Sequence, residues 1–190
     1  MPENITQIPA SRVPITSAEI PSREWYRYFY NLFALLGGGS LRYGAFHSTV
    51  SQPLAAAGVA QPVTYNITDL SKGVYIGTPA SRLYVDRPGA YNFQFSLQLV
   101  SRDPSNKFVY IWARVNGNDI PDSATKITMQ GNNDAYVAAW NFVLRMNTGD
   151  YFELMWSGSN PNLEIIAEAA ATPHPGIPSV IMTVSCNIGE

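Results

Sequence analysis

The chain has 190 residues, 46% of them hydrophobic, which suits one medium domain with a core of its own plus an appendage and excludes a disordered chain. Only 14% are charged, against about 25% in an ordinary soluble domain. With a net charge of -2 and no cluster of Lys and Arg, the chain lacks the basic stripe that nucleic acid requires.

The surface is instead rich in Asn, Gln, Ser and Thr, which favours close contact with other chains. Cys186 has no partner for an internal disulfide, and the apolar run around it predicts a buried thiol. No charged segment followed by an apolar one opens the sequence, so no secretory signal is expected, and Asn4-Ile5-Thr6 and Asn66-Ile67-Thr68 are chance matches to the glycosylation pattern. The longest apolar stretch lies within residues 25 to 36. That is shorter than the roughly 20 residues of a membrane span, so a soluble protein is expected.

Pro2, Pro9, Pro14 and Pro21 punctuate the first 21 residues. Each removes a backbone donor and pushes its predecessor out of the helical region, which predicts an extended leader that is either flexible or laid against something larger. A short helix is expected over 22–36, with Ser22 as N-cap, Glu24 in the first turn and Gly37-Gly38-Gly39 as its stop and a hinge. Trp25, Phe29, Leu32 and Leu36 share one stripe. Tyr26, Tyr28, Tyr30, Phe33 and Leu35 cover much of the rest, so the helix reads as aromatic nearly all round. Such a helix packs either on its own domain or on other subunits. In the second case Trp25, Tyr26, Phe29, Leu32 and Phe33 carry the attachment.

From residue 41 to 190 the pattern changes to short β segments separated by turns, giving a second domain after the 1–40 segment. Strands are predicted over 43–50, 62–67, 81–85, 91–100, 108–115, 126–129, 136–146, 151–156, 163–167 and 179–186. The clearest is the strand after Pro88-Gly89, where Tyr91, Phe93, Phe95, Leu97 and Leu99 alternate with Asn92, Gln94, Ser96 and Gln98. One face is thus aromatic and core-bound, and the other amide-rich and open to water or a partner. Asn116-Gly117 is a hairpin signal, and Thr148-Gly149-Asp150 separates two further strands. Tyr136, Ala138, Trp140, Phe142, Leu144 and Met146 form another apolar face, while 108–115 reads as apolar on both faces and so as partly a subunit interface. With no crossover helices, the architecture is all-β, an antiparallel sandwich or barrel.

Catalytic chemistry finds no constellation. His47 and His174 have no Cys, Asp or Glu at ligand spacing, and Gly37-Gly38-Gly39 lacks the Lys-Ser/Thr of a phosphate loop. No Gly-x-Ser-x-Gly elbow occurs, and Glu164 and Glu168 fall on a strand or loop. Asp119, Asp122 and Asp134 read as loop residues whose spacing matches no calcium loop. No enzyme, cofactor or metal is expected. Tyr75, Tyr110, Trp112 and Trp156 are candidates for stacking on sugar rings if exposed, and packing explains them otherwise.

Pro88-Gly89-Ala90-Tyr91-Asn92-Phe93, then Val115-Asn116-Gly117, then Asn147-Thr148-Gly149-Asp150-Tyr151-Phe152-Glu153-Leu154 resemble, in order, motifs of the jelly roll shared by the complement recognition head and tumour necrosis factor. Tyr43-Gly44-Ala45-Phe46, Ile111-Trp112-Ala113-Arg114, Ala138-Ala139-Trp140-Asn141-Phe142 and the leader Ser22-Arg23-Glu24-Trp25-Tyr26-Arg27-Tyr28-Phe29 are similar to segments of bacteriophage fibre or decoration proteins carrying such a head. The resemblance implies a jelly-roll homotrimer located in a virion. In it the leader attaches to capsid, collar or tail proteins, and Tyr91, Phe93, Phe95, Trp140, Phe142, Phe152 and Leu154 build the core and trimer contacts. A head recognising host surface glycans is the alternative on the same fold. A collagen-like stalk and a long coiled coil are both missing from the sequence, which favours a short head fibre, decoration protein or adaptor.

Overall fold

The computed structural model describes residues 8, 13–17, 20–35, 41–131 and 133–188. The chain divides into two compact units, residues 1–41 and residues 42–188. In the first, β1 (Thr16–Ser17) and β2 (Ile20–Pro21) form a two-stranded hairpin that leads into α1 (Arg23–Leu35). The leader is therefore not extended throughout. The Ser22 N–H donates to the Ile15 carbonyl at 2.9 Å and prolongs the hairpin, while the Ser22 carbonyl accepts the Tyr26 N–H at 2.8 Å and begins the helix. The Ser22 hydroxyl is buried and finds no partner among the described residues, so the predicted cap operates through the backbone. Helix α1 is amphipathic rather than aromatic all round. At 3.6 residues per turn Arg23, Glu24, Arg27 and Asn31 fall on one side and Trp25, Tyr28, Phe29 and Leu32 on the other. Leu36, the Gly37 to Gly39 hinge and Asn4 lie outside the described residues, as does the side chain of Phe33.

The second unit is a sandwich of two antiparallel sheets, built from β3 (Tyr43–Ser48), β4 (Gln52–Pro53), β5 (Gln61–Pro62), β6 (Ile67–Lys72), β7 (Val74–Ile76), β8 (Leu83–Val85), β9 (Gly89–Ser101), β10 (Lys107–Val115), β11 (Asn118–Asp119), β12 (Thr125–Met129), β13 (Asp134–Met146), β14 (Tyr151–Gly158), β15 (Leu163–Ile165) and β16 (Val180–Ile188). In sheet I the order is β13-β9-β16-β3-β6. Strand β9 pairs with β13 along its whole length, and its other edge is shared by β16 and then β15, which in turn pairs with β4. In sheet II the order is β11-β10-β14-β8-β7, with β12 on the edge of β10 and β5 on that of β14. Asn116 and Gly117 take φ of 50° and 80°, the two left-handed positions of the tight turn that joins β10 to β11. Gly149 at φ 83° turns β13 into β14.

The alternation read in β9 is realised residue by residue, with Tyr91, Phe93, Phe95, Leu97 and Leu99 buried. Phe93 of sheet I stacks on Phe152 of sheet II, ring centroids 4.2 Å apart, so this pair ties the two layers together. Leu154 and Trp156 extend the inner face of β14. Trp156 is fully buried, so of its two readings packing holds and stacking on a sugar ring does not. In strand β10 Val109, Ile111 and Ala113 point inward, whereas Tyr110 is 38% exposed on the outer face, so within one copy the strand is covered on one side only. The run expected over 62–67 is instead the end of β5, a connection, and the start of β6. Asp119 and Asp134 lie in strands, not loops. Cys186 is half-buried, not wholly enclosed.

The loop after β9 is organised by Asp103. Its carboxylate accepts the Ser105 N–H at 3.0 Å, the Lys107 ammonium at 3.0 Å and the Ser105 hydroxyl at 2.8 Å. These bonds hold its pKa down at about 2. An unfolded Asp titrates near 3.9, so the bonds stabilise the fold fully above that value and the contribution disappears as the pH falls toward 2. Asp103→Asn is expected to be less stable than the parent at pH 7, with the difference shrinking between about pH 4 and pH 2 in urea titrations at each pH.

Candidate functional site

The outer face of sheet I is nearly free of charge at its centre. Strand pairing places Ala45, Thr183, Gln94 and Asn141 in one row across β3, β16, β9 and β13, and His47, Ile181, Ser96 and Ala139 in the next. Tyr43, Ser185, Asn92 and Val143 form a third. The Asn141 amide donates to Asn92 Oδ1 at 2.8 Å, so neighbouring amides bond to each other across the strands. Val137 and Val143 are 55% and 62% exposed there.

Strand β13 borders this face, and among the described residues no strand pairs with its free edge. A 13-residue edge with unpaired N–H and C=O groups is normally guarded by charge or proline. Here residues Ala135 through Leu144 contain neither. On the inward side of the same strand Trp140, Phe142 and Leu144 pack on the core yet remain half-buried. Trp140 meets Phe95 edge to face with centroids 4.6 Å apart. Tyr136 continues the sequence alternation, but it is 49% exposed and lies outside the apolar face expected of it.

The outer face of sheet II has a different character. Tyr75, Tyr84 and Tyr151 lie in register across β7, β8 and β14, with centroid separations of 5.7 and 5.2 Å. The Arg82 guanidinium sits over the Tyr151 ring at 4.3 Å. Its neighbour Glu153 is buried and accepts the Ser81 hydroxyl at 2.7 Å. Further along, Trp112 Nε1–H and Arg114 Nε–H both donate to Asp119 Oδ1, at 2.8 and 2.7 Å. These two bonds, Arg114 first, hold the Asp119 carboxyl below the usual carboxylate range. Asp119 is thus engaged by the aromatic face and is not a loop ligand. Tyr75, Tyr110 and Trp112 share this face, and Trp156 does not.

A pocket of about 220 Å³ opens on sheet I, lined by His47, Thr49, Asp69, Glu168, Ile177 and Ile181 among others. His47 Nδ1 lies 2.9 Å from Asp69 Oδ2. A bulge in β6 makes this possible, because the register with β3 passes from Ala45–Leu70 to Phe46–Thr68 and leaves Asp69 as the extra residue. His174 lies elsewhere, its Nδ1 2.9 Å from the Pro175 carbonyl. Among the described residues no three of His, Cys, Asp and Glu gather closely enough to hold a metal ion.

In the first unit Trp25 is half-buried and its Nε1–H donates to the Val13 carbonyl at 3.1 Å. It packs with Tyr28 and Phe29, and Tyr26 stacks on Tyr30. Tyr26, Phe29 and Tyr30 are exposed. The pocket and the tyrosine row escaped sequence reasoning, since their members come from distant strands. Tyr84 and Tyr151 alternate with buried Leu83, Val85 and Phe152, which is the signal that marks them as outward-facing.

No family model matches the sequence, and no curated protein matches it. In structure the chain is similar to the Eiger tumour necrosis factor of S. frugiperda, with a TM-score of 0.52 over 80% of this chain and 95% of that one at 6% identity. It also aligns with murine APRIL at a TM-score of 0.47, over 77% of this chain and 99% of that one at 11% identity. At 6% identity the first likeness bears on the fold alone. The two curled sheets are therefore a jelly roll of the tumour-necrosis-factor type.

Proposed function

We propose that residues 42–188 form the head of a non-enzymatic, homotrimeric bacteriophage structural protein, attached to the particle by the segment containing α1. The observation that carries the assembly is the centre of the outer face of sheet I, where Gln94, Ser96, Ala139 and Asn141 bring no charge, beside the unguarded edge of β13. Burying it costs little desolvation, and covering Trp140, Phe142 and Leu144 adds apolar burial at about 25 cal/mol per Å². A rotationally symmetric ring, in which the β13 edge of each copy meets the sheet I face of the next, covers every β13 edge. The virion location rests on the likeness of Ser22 to Phe29 and of the head segments to phage proteins. Its support in the first unit is the apolar side of α1, with Phe29 and Tyr26 exposed.

Light scattering of the full chain tests the assembly. A mass of roughly three times 20.9 kDa is expected, and a concentration-independent monomer rejects the reading. For attachment, Trp25→Ala with Phe29→Ala is expected to reduce incorporation into particles by at least about tenfold, the equivalent of losing two partly buried aromatic contacts. The head's near-ultraviolet dichroism and unfolding midpoint should remain unchanged. Unaltered incorporation removes α1 from the mechanism.

A second reading, recognition of host surface glycans, is favoured by one observation. Tyr75, Tyr110 and Trp112 lie on a single face, beside Asp119, Arg114 and Lys126. A glycan array with the full chain tests it, and binding that survives Tyr75→Ala and Trp112→Ala rejects that face as the platform.

A further inference from the structure

The pocket on sheet I has an apolar wall and a polar wall of one kind. Ile177, Pro178 and Ile181 supply the first, and His47, Thr49, Asp69 and Glu168 the second. Carboxylates only accept hydrogen bonds, so the 2.9 Å contact with Asp69 Oδ2 places a proton on His47 Nδ1. The Thr49 hydroxyl accepts the Asn66 amide at 3.0 Å. Of the backbone donors along the lining, the Ile177 N–H bonds to the Glu168 carbonyl at 2.9 Å, the Thr49 N–H bonds to Asn66 Oδ1 at 3.0 Å and Pro178 has none, and Gly176 completes the wall. The charge on the polar wall comes from two carboxylate residues, Asp69 and Glu168, set beside the Thr49 hydroxyl.

An anion is repelled by such a wall, and a sugar hydroxyl array needs donors as well as acceptors. The complementary head group carries only donors and positive charge, and Ile177, Pro178 and Ile181 require an alkyl stem behind it. We infer that this pocket binds a cationic head on an apolar stem, an alkylammonium or alkylguanidinium group. Two sources offer that chemistry: a free amine, or a Lys or Arg side chain of a second copy. The second source rests on the homotrimer proposed above.

Both arms of the test use the full chain. In the first, butylammonium and butylguanidinium chloride are titrated while the backbone amide resonances of Thr49, Asp69 and Ile177 are followed, with n-butanol and butyrate as controls. In the second, the concentration dependence of mass is compared between the parent and Asp69→Asn/Glu168→Gln, a pair of isosteric changes that keep acceptors in place and remove charge. A free cation gives saturable shifts with the two cations alone, weakened at least about tenfold in the variant, whose association is unchanged. A cation from a second copy gives no saturable shift in the assembled parent, and association weakens at least about tenfold in the variant. Binding by a monomeric full chain sustains the pocket while removing the trimer. If butanol or butyrate binds as well as the cations, or neither the titration nor the association responds, the inference is overturned.

Discussion

Truncating Phe93 to alanine is expected to remove about 3–5 kcal/mol of stability, a large share of the roughly 5–15 kcal/mol available to a domain of this size. Phe93 is fully buried in the most extensively paired strand, and its ring lies parallel to that of Phe152 at 4.2 Å, interplanar angle 15°. The contact joins the two sheets. Tyr91, Phe95 and Leu97 are fixed by β9 itself, so the space left by the ring cannot close without moving the strand. A midpoint drop of roughly 6–20 °C follows for a chain of this length, and it should be the same at high and low protein concentration. Phe142→Ala offers the contrast. That ring packs 6.0 Å from Phe95 on the edge strand and is only half-buried in one copy. Its cost should rise with protein concentration if a second copy completes its burial, and denaturant titrations at two concentrations separate the cases.

Much of this core was legible because β9 is buried on one face and polar on the other. Strict alternation between Tyr91 and Leu99 survives folding, and so do the Asn116-Gly117 turn and the inward row of β13 from Ala138 to Met146. Strand β14 defeated the same logic. Glu153 and Met155 point outward but are buried, so both parities of this strand are covered and Trp156 gave no sign of its direction. The helix misled for another reason. Tyrosine counts as aromatic wherever it falls, whereas Arg23, Arg27, Glu24 and Asn31 cluster on one side and define a polar face. β7 is three residues long, too short for period-two evidence. The pocket was out of reach because His47, Asp69 and Glu168 are brought together by the pairing of β3 with β6 and β16 and by the small bridge between Glu168 and Ile177. A bulge that re-aims one aspartate has no local signature in the sequence.

The largest expected effect on assembly comes from Ala139→Glu. Ala139 projects from the outer face of β13, opposite Ser96 and in the same row as Ile181, where no charge lies alongside it. The fold of a single copy should tolerate the change, because the side chain is exposed and the β9–β13 pairing uses only backbone groups. In a ring every copy would bury one unpaired carboxylate against an uncharged face, and a carboxylate without a partner costs several kcal/mol to desolvate. At about 1.4 kcal/mol per factor of ten, a loss of roughly 3 kcal/mol per contact weakens each by about a hundredfold. The full-length variant is therefore expected to sediment as a monomer where the parent is a trimer, with its unfolding still cooperative. Thr128→Glu places the same charge on the outer face of sheet II, at an exposed position of β12, and should leave the parent's mass unchanged. The two faces thus make opposite predictions from the same substitution chemistry. Monomerisation by Thr128→Glu and not by Ala139→Glu would transfer the subunit contact to the aromatic face and leave the amide face of sheet I free for a ligand.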